Sequence, residues 1–175
     1  MAKRIDLRAY QEAIATRLAA AQAGGSVSAL LGFESGGRRW LIDLPAAGEV
    51  LPPPPLAHVP LTQPWFAGMT NVHGELQAVV DFSVFCGGAP TPREGGARLL
   101  RIGSRHGSNS ALLVARVHGL KRTDSLFSAE AGDAAAPPWQ GDAFTDSQGT
   151  RWLRLEPDRL LADPAFLDAS LPLTD

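Results

Sequence analysis

The side chains with the most chemical capacity are the single cysteine, Cys86, and the four histidines, His58, His73, His106 and His118. A thiol becomes a nucleophile only beside a base, and a structural zinc site needs closely spaced thiolates and imidazoles. Neither pattern is present: no two histidines stand four apart, there is no Cys-x-x-Cys pair, and Cys86 follows Val84-Phe85 at the end of an apolar run. The sequence therefore predicts a packing cysteine and a chain with no catalytic residue, no metal site and no cofactor. Arg101 and Arg105 have a spacing able to fork around phosphate, and Asp81-Phe-Ser83 lies before them in the chain.

The elements that must position these groups are clearest from Pro64 to Phe82, where a glycine-punctuated corner runs into a strand. Asn71 and Gly74 both tolerate positive φ, so they suit a tight reversal. Leu76, Val79, Val80 and Phe82 then supply a largely buried strand. Asp81 is a charge where a strand normally has none, and it reads as a group bonding local backbone at the strand end. Trp65 and Phe66, after Pro64, read as caps on a core.

Upstream, Leu7, Tyr10, Ile14 and Leu18 recur at spacings of three and four, which predicts an amphipathic helix from Asp6 to Gln22 stopped by Gly24-Gly25. Hydrophobic runs from Val27 to Glu34 and from Arg38 to Leu44 flank Ser35-Gly36-Gly37, a hairpin signal that puts Trp40 and Ile42 on one strand face. Pro52-Pro53-Pro54-Pro55 is a stiff connection. A strand ending near Phe85 is followed by strands at Ala97 to Ile102 and Ser110 to Val117. A long loop spans Thr123 to Asp142 with Trp139 as its anchor, and a last hairpin turns at Asp146-Ser-Gln-Gly149. Pro157 opens a closing helix. Short strands with no helices between them predict small antiparallel barrels.

At 175 residues, with 45% hydrophobic and 19% charged, the chain is an ordinary globular domain. A formal net charge of -2 with no basic run excludes nucleic acid as an expected partner. No apolar run reaches the ~20 residues of a membrane helix, and the charged start is unlike a signal peptide, so the expected location is cytoplasmic without direct membrane insertion.

Gly68, the corner Asn71-Val-His-Gly74 and the strand end Val80-Asp81-Phe82 together resemble the signature of CheW, the adaptor of bacterial chemosensory arrays. Trp40-Leu-Ile-Asp43, Glu49-Val50, Val117-His118-Gly119-Leu120 and the closing Leu155-Glu-Pro-Asp-Arg-Leu-Leu161 extend the resemblance over roughly residues 28 to 165. It implies an all-β fold of two SH3-like five-stranded β-barrel lobes sharing a core, with an N-terminal amphipathic helix and a short C-terminal helix. The expected division is a helical extension at 1–25 and a CheW-like domain at 26–175.

The resemblance further implies a non-catalytic adaptor that couples a chemoreceptor cytoplasmic tip to the regulatory domain of a CheA-type histidine kinase. The extension and the late loop look most like the variant of type IV pilus, or twitching-motility, systems. By resemblance, the receptor groove holds Glu49, Val50, Gly68, Asn71, His73 and Gly74, with Glu49 and His73 meeting beside it, and open barrel edges serve the kinase. Departures bear on specificity: the usual corner Arg is His73, the common Asp before the late glycine is His118, and Gly48 and Pro52 to Pro55 replace residues that often continue a strand. A neutral His lacks the forked charged contacts of Arg. The alternative is a small-ligand β-barrel regulator of the cyclic dinucleotide-binding kind. Such receptors place Arg-x-x-x-Arg before Asp-x-Ser-x-x-Gly, whereas here Asp81-Phe-Ser83 comes first and Gly87 falls one residue late.

Overall fold

Gly36 and Gly37 reverse the chain at φ of +60° and +69°, which a side chain would strain, and so close a hairpin between β1 (Ala29–Ser35) and β2 (Arg38–Asp43). Its register sets Phe33 opposite Trp40 and Leu31 opposite Ile42. Those four residues share one face and one core, while Leu30 and Leu41 on the other face belong to a different core. The computed structural model describes residues 29–102, 108–129 and 135–171. The expected helix from Asp6 to Gln22, the 1–25 extension and the Gly103–Gly107 loop lie outside the described residues.

The chain leaves this sheet after β2 and builds a second one from β3 (Ala47–Leu51), β4 (Phe66–Val72), β5 (Glu75–Asp81), β6 (Arg98–Ile102) and β7 (Ser110–Val114), in the order β3-β6-β7-β5-β4. It then returns through β8 (Arg116–Arg122), β9 (Leu126–Ser128), β10 (Gln140–Asp146) and β11 (Arg151–Leu155), giving the first sheet the order β8-β1-β2-β11-β10-β9. The first lobe is thus completed by both ends of the described chain, with the second inserted between them. Most pairings are antiparallel as expected, but β2 with β11 and β5 with β7 run parallel. A parallel pair needs a long connection but not a helical one; here β6 lies within one connection and the whole second sheet within the other.

Three apolar clusters result. The largest lies between the sheets and buries Phe33, Trp40, Ile42, Val80, Phe82, Leu100, Leu112, Val114, Trp139 and Leu155, among others. The second lobe's own core contains Val72, Val79, Ala97, Leu99, Ala111 and Leu113, and the first lobe's contains Leu30, Leu41 and Trp152. Gly32 is required beside Trp152, since a Cβ there would lie 2.9 Å from the indole.

Several local expectations are corrected. The strand expected to run on to Phe85 stops at Asp81, whose carboxylate accepts from the backbone N–H of Ser83 and caps a short helix, Phe82–Phe85. The same carboxylate accepts from Thr91 through both its N–H, at 2.8 Å, and its hydroxyl, at 2.7 Å. Leu76, expected in a buried strand, is 56% exposed because it stands at the open end of β5. The strand expected over Ser110 to Val117 divides at Ala115, where the chain passes between sheets and Ala115 N–H donates to the Glu34 carbonyl. Within the expected loop Thr123 to Asp142, a 3-10 turn at Thr123–Ser125 leads into β9, so the first sheet carries six strands. Trp139 is the anchor the sequence suggested: it is buried and packs 5.8 Å from the Trp40 ring.

The last hairpin is organised by Asp146, which accepts from the Trp152 indole at 2.9 Å and from the N–H groups of Gln148 and Thr150. The indole bond first, with the backbone donors and Lys121, holds this carboxyl below the usual carboxylate range despite some desolvation. Pro157 opens the helix Pro157–Leu161 as expected, and a second helix, Pro164–Leu167, follows.

Asp81→Ala removes acceptors from buried donors on two segments and should destabilise the fold by about 2–3 kcal/mol, read as a lower urea midpoint. Burial pushes the Cys86 thiol from 9.0 up to about 12, with Arg38 lowering it and Asp81 raising it to smaller extents. Iodoacetamide should therefore modify native Cys86 at pH 8 at least ~100-fold more slowly than free cysteine, and rapidly once the chain is unfolded. The raised value favours the protonated thiol of the native state, so its contribution to stability is complete below pH 9.0 and is lost as pH rises toward about 12.

Candidate functional site

β4 and β5 close on the pair Val72 and Glu75, which leaves His73 and Gly74 as a two-residue turn. Both have positive φ, 53° for His73 and 87° for Gly74, the signature of the hairpin turn whose twist matches its strands. The sequence suggested Asn71 and Gly74 for positive φ; Asn71 instead stays in β4 and uses its side chain. Its Oδ1 accepts from the Gly74 N–H at 2.9 Å and locks the turn. His73 is therefore displayed on a rigid corner.

The imidazole reaches β3 of the same sheet. His73 Nε2 lies 2.9 Å and 3.1 Å from the two carboxylate oxygens of Glu49. Arg101 on β6 stands 3.8 Å from Glu49 and also pairs with Glu75, so a guanidinium links the two acids. Its side chain is only 19% exposed, against 70% for His73, which makes Arg101 the fixed member and His73 the accessible one. An exposed pair of this kind contributes only about 0–1 kcal/mol, so the cluster's chief effect is to orient groups at the surface.

Glu49, Asn71, His73 and Gly74 are thus brought together, and Val50, 37% exposed, adjoins Glu49 on β3. Gly68 stands apart, five residues from His73 and about 17 Å away at the usual strand rise. Its requirement is steric: φ is +130°, and a Cβ would lie 2.5 Å from the Ala57 carbonyl oxygen. There the chain after the proline run pairs with β4, Ala57 and Met69 exchanging both backbone bonds at 2.7 Å and 2.9 Å.

Sequence reasoning missed Arg101 and Glu75 as members of the cluster. The Arg101–Arg105 spacing suits a phosphate fork only in the alternative reading, and Arg105 lies outside the described residues. The Arg101 guanidinium is instead engaged by two carboxylates, and Asp81 of the supposed accompanying motif is buried in its cap. Of the other histidines, His118 pairs with Glu34 at 3.1 Å and stands edge-on to Trp152, His58 is exposed, and His106 lies outside the described residues. Cys86 packs against the shared core, and Trp65 stacks on Phe166 beside it. Among the described residues, no group of three or more His, Cys, Asp or Glu is placed to hold a metal ion, and no helix is long and apolar enough to cross a membrane.

The fold agrees with comparisons to known proteins. The solved scaffolding protein TtCheW from Thermoanaerobacter tengcongensis superposes with a TM-score of 0.62 at 14% identity, over 73% of this chain and 88% of that one. Protein PilI of Pseudomonas aeruginosa is 28% identical over 144 residues, 81% of this chain and 79% of its own length. The family model for the CheW-like domain matches residues 29–165, from the first residue of β1 into the final helix. With most of its length matched, two SH3-like lobes around one core, and the glycine corner in place, the chain belongs to the CheW-like domain family.

Proposed function

We propose that the chain is a non-catalytic scaffold that couples the cytoplasmic tip of a chemoreceptor to the regulatory domain of a CheA-type histidine kinase, in a chemosensory system linked to type IV pili. The observation that carries this reading is the His73–Glu49 pair on a locked hairpin corner, 2.9 Å apart and open to solvent. An acid and a base held there match the acidic and basic positions that flank the receptor groove in the family. The likeness to Protein PilI supports the pilus system, and the likeness to a scaffolding protein supports the scaffold role. Glu49, Val50, Asn71, His73 and Gly74 form the receptor-facing surface. Gly68 acts at a distance by keeping β4 against the chain that follows the prolines. The kinase domain takes strand edges elsewhere, and the protein works on the cytoplasmic side of the membrane through these partners. Phosphate transfer to this chain forms no part of the role.

Gly74→Val should strain the turn by ~1–2 kcal/mol through its positive φ and displace His73 from Glu49, while its Cβ meets nothing within 4 Å. Calorimetric titration of the folded variant should show receptor-tip affinity falling by more than kinase-domain affinity. His73→Arg supplies a permanent charge beside Glu49, and should keep or strengthen receptor binding. If folded Gly74→Val binds the receptor tip as the parent does, the corner is structural only and the receptor surface lies elsewhere.

A further inference from the structure

The tip of the β1–β2 hairpin lies by the opposite end of β5 from the His73 turn. Ser83, in the helical turn just past the far end of β5, adjoins this tip, and a Cβ on Gly36 would stand 3.3 Å from its Oγ. Beside the tip, β2 and β11 pair only at Trp40–Leu41 with Leu153–Arg154, and an open cleft of about 470 Å³ lies between their starting ends. Arg38, Arg39 and Arg151 line it over a floor that includes Leu153, with Gln140 and Thr150 completing the wall. No carboxylate is among its described lining residues, and none of the three guanidiniums has an ion-pair partner among the described residues. Arg39 is oriented by a 3.2 Å bond to Thr150 and by the Trp152 ring, 5.7 Å away. On a chain of net charge -2, three arginines in one cleft without an ion pair among the described residues form a local feature, not a general basic surface; Glu34, opposite Arg39 on β1, is engaged by His118.

A second cleft, of about 380 Å³, abuts the first, with Arg38 and Gln140 lining both. Its walls are aromatic: Trp65, Phe85 and Trp139, with Cys86 and Pro137. Its one carboxylate, Asp163, is bonded to the Ala165 N–H as a helix cap. The continuous groove is thus basic at one end and aromatic at the other. It is longer than a single phosphate needs, and its two halves call for two kinds of side chain on one extended ligand.

We propose that this groove binds an acidic linear peptide segment that carries an aromatic or large aliphatic residue, its carboxylates meeting Arg38, Arg39 and Arg151 and its apolar side chain lodging against Trp65, Phe85 and Trp139. The site is separate from the His73 corner, so both can be occupied together. The source of the segment is a partner protein whose exposed chain is acidic and bears an apolar anchor.

The test uses the purified full chain and a fluorescein-labelled Glu-Asp-Phe-Glu-Asp peptide followed by anisotropy, with no receptor or kinase present. The result is therefore independent of the scaffold reading. Saturable binding is expected that weakens as salt rises, is lost when Lys replaces the acids, and falls by roughly tenfold when Ala replaces Phe. The double variant Arg38→Ser with Arg151→Ser, both at exposed strand starts, should lose at least about tenfold in affinity while melting as the parent does. Removing the same charge elsewhere, by Arg93→Ser with Arg122→Ser, should leave affinity within about twofold. Tryptophan indole resonances should shift on titration, reporting occupation of the aromatic half. Absence of saturable binding at millimolar peptide overturns the proposal, as does equal binding by both double variants. Pyrophosphate competing as strongly as the peptide, with no effect of the Phe→Ala change, also overturns it and marks the cleft as a small-anion pocket.

Discussion

The aromatic layer between the two sheets is the contact on which the rest of the molecule depends. Trp40 from β2 meets Phe82, from the helical turn after β5, at 5.1 Å between ring centroids, and Trp139, from the segment before β10, at 5.8 Å. Phe85 and Phe166 extend the layer to the final helix. These rings come from segments scattered over the described chain, so they meet only after both sheets have been brought face to face. Losing one such ring from a packed core costs about 3–5 kcal/mol, a large share of the stability of a domain this size. The lobes' private cores are small by comparison, with three buried residues in the first and six in the second, against fifteen in the shared cluster. Among the described residues, each lobe therefore depends on the shared cluster for many of its buried apolar side chains.

What could be read from the sequence was what adjacent residues decide. Gly36-Gly37 fixes a hairpin locally, and its register then places Trp40 and Ile42 inward by strand alternation alone. Asp146 to Gly149 and Pro157 gave the last hairpin and the helix after it in the same way. Pairings between distant segments carry no such local mark. β2 meets β11 through Arg154 and Asp43, 111 residues apart, and no turn chemistry announces the parallel contact. The end of β5 was missed for a different reason. Val79 to Phe85 is apolar enough to continue a strand, but Asp81 bonds its own backbone two residues on and turns the chain. Leu76 was misjudged because residue type does not report depth; the strand continues past the core, and Leu76 lies on the part that emerges.

The candidate site divides along the same line. The corner itself was legible because Asn-x-x-Gly encodes a turn, although which residues take positive φ depended on where the hairpin closed. The acid–base partnership of Glu49 and His73 came from family likeness and is present in the geometry. Arg101 and Glu75 were not legible, since their membership depends on β6 lying between β3 and β7. Gly68 shows the converse: its place in the family signature suggested a site residue, yet the close approach of Ala57 is sufficient to require a glycine there.

β5 connects the end that carries the His73 corner with the end beside the basic cleft. It lies inside the second sheet, between β7 and β4, and its middle residues Val79 and Val80 pack into different cores on opposite faces. One end carries the His73 corner. The other ends in Asp81, whose bonds to Ser83 and Thr91 hold the chain against the β1–β2 tip beside the basic cleft. Seven strand residues set these ends about 20 Å apart. A strand fixed by ladders on both edges and cores on both faces cannot bend to accommodate a ligand at one end, so it moves as a unit or not at all. The arrangement thus separates the two proposed surfaces sterically while joining them mechanically, which suits the proposed role of a scaffold between two partners.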